Sequence, residues 1–144
     1  MSDNIQSPKD TDDERSMLSR GVMNILDQWG LNAEQAVAIL NLPEKTPTRM
    51  LRRYRDDTPL PDTQLVNDRI NHILGIADAL RTSWPHNPSM GLIWMKQKNS
   101  RFNKRRPVNI ITEDGLDGIV QIRCHLDCSY DWFNDRTETK ISPS

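Results

Sequence analysis

From about residue 14 onward the apolar residues of this chain recur with a helical period, and nowhere with the two-residue alternation of a half-buried strand. Leu18, Val22, Ile25 and Trp29 fall at i, i+4, i+7 and i+11, with Leu26 beside them, which predicts a first helix. Gly30 supplies the left-handed residue that stops it. Asn32, with Gln35 three positions later, reads as a capping-box start for a second helix that buries Ala36, Val37 and Leu40. After a link of about five residues at 41–45, Thr46 followed by Pro47 predicts a cap and a first-turn proline for a third helix, ending near Arg55.

The proline-flanked stretch at residues 56–61 marks a domain boundary. Asp62 is then expected to cap the longest helix, residues 62–84. Its stripe is Val66, Ile70, Ile73, Ala77, Leu80 and Trp84, widened by Leu65, Leu74 and Ile76. Pro85 breaks it. Asn87 and Pro88 repeat the cap-then-proline signal for a short helix with Leu92, Trp94 and Met95, and a polar, basic loop spans 96–106. Pro107 opens another short helix to about Glu113. After Gly115 a final helix carries Leu116, Ile119, Ile122, Cys124 and Leu126 as far as Tyr130. The expected fold is all-α. A helix-turn-helix unit at 15–58 precedes a small helical domain at 61–132, between an unstructured acidic tail at 1–14 and a free tail at 133–144.

Composition narrows this picture. Leu, Ile, Val and Phe make up 32 of 144 residues, enough for a modest core, and the apolar runs are too short for a transmembrane helix. The polar, acidic residues 1–14 lack the apolar stretch of a secretory signal. The two cysteines, Cys124 and Cys128, would close almost no loop, so a reducing, cytoplasmic setting is expected and no membrane partner.

The formal charge of −1 hides an asymmetry: −4 over residues 1–14, +7 over 15–106 and −4 over 107–144. A basic middle is the footprint expected of a nucleic-acid binder, although charge on a helical protein also serves to solvate it. The positions decide. In the third helix Met50, Leu51 and Tyr54 cluster on one side and Arg49, Arg52 and Arg53 on the other, with Arg55 at the edge. The guanidinium fork bonds guanine edges or phosphates in bidentate fashion, so this face reads as a recognition surface for DNA, with a solvated basic face as the alternative. Thr46 and Thr48 stand where recognition helices reach bases or phosphates.

Enzymatic chemistry finds little support. The glycines are isolated, so no phosphate-cradling loop is present. Cys124, His125 and Cys128 have the wrong order for haem attachment. They also lack a nearby second ligand pair for zinc, since His72 and His86 lie in distant segments. The cysteines are expected to pack as small apolar residues, and no cofactor or metal is expected. Lys96, Lys98, Arg101, Lys104, Arg105 and Arg106 form a basic loop suited to phosphates, to an acidic partner or to solvent.

From Pro61 onward the chain resembles the toxin-binding region of the Xre/MbcA/ParS antitoxin family. The residues that carry this are Asp68, Arg69, Ile70, Leu74, Gly75, Ile76, Ala79, Leu80 and Arg81. Trp94, Met95, Asn99, Phe102 and Pro107 follow at the family's spacing, then Gly115, Gly118, Ile119, Val120, Arg123, Leu126, Asp127 and Trp132. The resemblance spans roughly residues 61–132. The chain departs from the pattern at Asn103, Lys104, Arg105 and Arg106, where the family has a glycine-containing turn, and in continuing twelve residues beyond Trp132.

The resemblance implies a non-enzymatic antitoxin with an Xre-like helix-turn-helix that binds its own promoter. Its C-terminal domain would hold and occlude a cognate RES-type toxin that consumes NAD⁺ or transfers ADP-ribose. The acidic end, with Asp127, Asp131 and Asp135 around Tyr130 and Trp132, would match the cations of a pyrophosphate cleft, and residues 127–134 are the expected occluding segment; alternatively Trp132 packs back on the final helix. The implied toxin-binding residues are Arg123, Asp127, Tyr130, Asp131 and Trp132. Helix-turn-helix proteins read paired half-sites as dimers, so a homodimer within a larger toxin–antitoxin complex is expected, with helix 62–84 part of its interface. The alternatives are a stand-alone regulator and a protein-interaction module whose arginines meet acidic protein. A palindromic operator upstream and a neighbouring toxin gene would separate the three.

Overall fold

The computed structural model describes the backbone of residues 8–137 and the side chains of residues 13–127. Among them the chain forms α1 (Pro8–Gln28), α2 (Ala33–Leu40), α3 (Thr48–Asp56), α4 (Gln64–Ser83), α5 (Pro88–Lys96), α6 (Pro107–Glu113) and α7 (Gly115–Thr137). A single 3₁₀ turn occupies Ser100–Phe102. No β-strand forms among these residues, only an isolated bridge between Asn99 and Arg105. The protein is all-α. It divides into two compact units, Met1–Ile73 and Leu74–Ser144, with the division inside α4.

In the first unit α1 begins at Pro8, so residues 8–14, expected in an unstructured tail, are helical. Proline suits a first turn, where its missing N–H has no partner to lose. Residues 1–7 lie outside the described residues. The buried face of α1 is Ser16, Ser19, Val22, Met23 and Leu26, followed by buried Trp29 just past its end, with Leu18 and Ile25 only half-buried at its edge.

Those two serines stitch α1 to the connection before α4. Ser16 Oγ donates to the Asp57 carbonyl at 2.9 Å; Ser19 Oγ donates to the Arg15 carbonyl and accepts the Leu60 N–H, each at 2.8 Å. Arg15 donates from Nε to the Leu60 carbonyl and from Nη2 to Pro61 O and Asn67 Oδ1. Leu60 is 1% exposed. Residues 56–61 are thus bound into the first unit, and the expected boundary there does not coincide with the division in α4.

Gly30 adopts φ 79° and ends α1 as expected. Asn32 and Gln35 form both bonds of the capping box on α2, at 2.8 and 2.9 Å. Asn41 ends α2 in the left-handed region, and Arg69 donates to the terminal carbonyls of Ala38 and Ile39. At the start of α4 Thr63 does the capping expected of Asp62: its Oγ1 accepts the Val66 N–H at 3.2 Å, while Asp62 accepts from the Asn67 amide. Val66, Ile70, Ile73, Ile76 and Leu80 are buried along α4, but Leu65, expected beside them, is 63% exposed.

The second unit buries Met95, Phe102, Val108, Ile110, Ile111, Ile119, Ile122 and Leu126. Asn87 precedes α5 with Pro88 at the first turn, though its side chain makes no capping bond. Pro107 opens α6 as expected. α6 and α7 pack closely because Gly118 has no side chain: a Cβ there would collide with the Ile110 carbonyl oxygen. Leu116 and Cys124, expected on the buried face of α7, are exposed. Backbone helix continues to Thr137, past the expected end near Tyr130 and through residues 133–137 of the expected free tail. Residues 138–144 lie outside the described residues. Among the described residues no helix is long and apolar enough to cross a membrane.

Candidate nucleic-acid interface

Among the described residues, the strongest concentration of unpaired positive charge on a single helix lies on α3. Pro47 is extended (φ −69°, ψ 151°) and stands one position before the helix, so it is the cap and not the first helical residue. Thr46 does not cap. Its Oγ1 donates to the Pro43 carbonyl at 2.6 Å, closing a turn in the link. The connection from α2 to α3 therefore runs through residues 41–47, longer than the expected 41–45 and than the three or four residues of a tight helix-turn-helix. In this unit the close helix–helix packing is α1 against α3.

Leu51 and Tyr54 are buried and Met50 half-buried, so the apolar side of α3 faces the core as its period implies. Burial pushes the Tyr54 phenol up from its ordinary pKa, which keeps it neutral. Arg49, Arg52 and Arg53 are exposed on the opposite side. Among the described residues their side chains form no hydrogen bond or ion pair. Asp56, also exposed, closes the C-terminal end of that face.

Arg55 is held differently. Its Nε and Nη2 donate to the two Asp27 carboxylate oxygens at 2.9 and 2.8 Å, a bidentate pair between α3 and α1. The hydrogen bonds to Asp27 raise the Arg55 pKa further. The Nε–Nη2 edge of its fork is committed to Asp27, so Arg55 orients α3 while the other three arginines remain available. Thr46 and Thr48 line a shallow hollow with Val37, Leu42, Glu34 and Glu44, where carboxylates oppose a phosphate. The structure thus brings together Arg49, Arg52 and Arg53, and leaves Thr46, Thr48 and Arg55 outside that group.

Of the residues expected at a toxin cleft, Arg123 and Asp127 share one face of α7. The Arg123 guanidinium lies directly on Gly75 of α4, in a small hollow with Asp78, Ala79 and Thr82. Asp127 Oδ2 stands 3.9 Å from Arg123 Nε, a one-turn pair that contributes little in water. Tyr130, Asp131 and Trp132 belong to the C-terminal part of α7, and their side chains lie outside the described residues.

His125 stacks on Trp94, with ring centroids 5.8 Å apart, and meets Phe102 edge-on at 5.1 Å. Burial, and then the Arg101 charge, lower its pKa. Cys124 beside it is exposed and free. Among the described residues no three His, Cys, Asp or Glu side chains gather as a metal-holding group.

Sequence reasoning missed the ordered state of residues 96–106. Asn99 N donates to the Arg105 carbonyl at 3.1 Å, Lys104 N to the Asn99 carbonyl at 2.9 Å, and the Asn99 side chain accepts the Arg101 N–H at 2.9 Å. Asn103 and Lys104 both take left-handed backbone, at φ 58° and 65°. Asn99 four positions before Asn103 was the available signal, since both residue types favour turns and left-handed backbone. No protein-family model matches the chain, and no curated protein was found to match it.

Proposed function

We propose that the protein is a DNA-binding antitoxin that represses its own promoter and inhibits a RES-type toxin. The observation that carries the DNA half is the α3 surface: Arg49, Arg52 and Arg53 exposed, without internal partners, on a helix pinned to α1 by Leu51, Tyr54 and the Arg55–Asp27 fork. Guanidinium groups on a rigid helix suit phosphates and guanine edges, because the helix fixes their spacing before the ligand arrives. The long link to α2 makes this a looser relative of the tight helix-turn-helix arrangement.

The antitoxin half is supported by the resemblance of residues 61–132, with Arg123, Asp127, Tyr130, Asp131 and Trp132 as its contact residues. A dimer through α4 would pair two α3 faces on a palindromic operator. The exposed Leu65 on α4 is an apolar residue suited to such an interface.

Anisotropy titrations with a labelled duplex from the chain's own upstream region test the DNA half. The full chain is expected to bind it more tightly than a scrambled duplex. R49Q/R52Q/R53Q is expected to weaken binding at least tenfold, because hydrogen bonds to charged groups contribute roughly 1.5–3 kcal/mol each. Equal binding by this variant would remove α3 from the account. Co-expression with the adjacent reading frame tests the toxin half: a complex that suppresses NAD⁺ loss supports it, and a harmless, non-binding neighbour contradicts it.

A further inference from the structure

Outside α3, the largest run of cations lies in the second unit, on the turn from the end of α5 to the start of α6. Lys96, Lys98, Arg101 and Lys104 are all exposed there. The nearby carboxylates are held by another residue: Arg105 donates to Asp114 at 2.8 and 3.0 Å and to Glu113 at 3.1 Å. The same contacts hold Asp114 below the usual carboxylate range. Arg105 thus offsets one of the two acidic charges beside the turn and holds both carboxylates on itself, so neither forms an ion pair with Lys96, Lys98, Arg101 or Lys104.

The turn is also built rather than loose. Phe102 is buried and anchors it, the Asn99–Arg105 bridge closes it, and Arg106 Nε bonds the Lys96 carbonyl at 3.0 Å. Lys104 holds left-handed backbone, which is strained for a residue with a Cβ. Glycine would occupy that position without strain, so the ammonium is carried there at a cost in stability.

We infer that this turn is a second nucleic-acid contact, a rigid set of cations for the phosphate backbone of duplex DNA. Its make-up favours phosphates over a protein partner. The only aromatic residue of the turn, Phe102, is buried, so the turn itself offers cations without an exposed aromatic anchor. Protein interfaces depend on buried anchors and are depleted in lysine, whereas phosphate contacts need only accessible cations. The inference shares its ligand with the DNA-binding reading of α3, and separate variants distinguish the two.

The experiment follows binding of the full chain to a random duplex across salt concentrations. Each phosphate contact contributes about 0.9 to the slope of log affinity against log salt. K96Q/K98Q/R101Q/K104Q is expected to make that slope shallower by up to about 3.6, with R49Q/R52Q/R53Q lowering it independently. K104G removes one charge and relieves the left-handed strain, so it should lower the slope by about one at an equal or higher thermal midpoint. An unchanged slope in both turn variants overturns the inference and leaves the α3 reading standing. A shallower slope in the turn variants alone keeps the inference and removes α3. If the turn variant loses binding to poly-L-glutamate while its DNA slope is unchanged, the turn is a site for acidic polypeptide and the inference falls. Absence of DNA binding by the full chain overturns both.

Discussion

Ser19 carries more of the first unit than its size suggests. It is wholly buried, and its hydroxyl is the acceptor for the N–H of Leu60, itself buried. Ser19→Ala leaves that N–H without its partner, a loss of about 1–3 kcal/mol. Urea unfolding should show a lower midpoint at unchanged slope, and an unmoved midpoint would mean that the latch to residues 56–61 contributes nothing. His125 gives the second unit a pH dependence whose sign follows from its surroundings. Burial, and next the Arg101 charge, lower its folded pKa, so the unfolded chain takes up a proton that the folded chain resists. Its stabilising share is present above the ordinary histidine value of about 6.5 and is lost as pH falls below that toward the folded value. Urea midpoints at pH 7.5 and 5.5 should therefore differ more for the wild type than for His125→Gln. An equal fall in both would assign the pH dependence to other groups.

At the scale of elements, glycine placement separates tolerant contacts from intolerant ones. A methyl on Gly118 meets the Ile110 carbonyl oxygen and the Asp114 Cβ, neither of which moves without shifting α6 against α7. Gly118→Ala should cost about 1–3 kcal/mol, as overpacking does. A methyl on Gly75 meets only the Arg123 guanidinium, the flexible end of a long side chain. Gly75→Ala should displace Arg123 at a smaller cost, and equal thermal shifts for the two variants would contradict this packing.

Elements whose signals are local were legible in the sequence. The Asn32–Gln35 box, the Gly30 stop and the two sides of α3 depend on neighbours within one or two turns. What escaped was set by partners far along the chain. Ser16 and Ser19 look polar on a helix, yet sit in the core because Asp57 and Leu60 satisfy their hydroxyls. Arg55 looks like its three neighbours until Asp27, 28 residues away, holds its fork. Thr63 displaced Asp62 as the cap by a local choice, one residue further along, where its Oγ1 accepts the Val66 N–H.

Across the whole molecule, the near-neutral net charge of −1 conceals two basic surfaces, the α3 face and the turn after α5, within the +7 stretch of residues 15–106. Acidic segments lie on either side in sequence, each at −4. Such an arrangement suits a protein that meets a polyanion through its middle, with binding that weakens as salt rises. The most direct measurement is the side-chain Nε–Hε NMR spectrum of the arginines during titration with duplex DNA. The Arg49, Arg52 and Arg53 signals should shift and broaden at sub-stoichiometric DNA, while Arg55, with its Nε bonded to Asp27 at 2.9 Å, stays in place. Movement of Arg55 with the other three silent, or no movement in any of the four, would contradict the assignment of α3 as the DNA-reading helix.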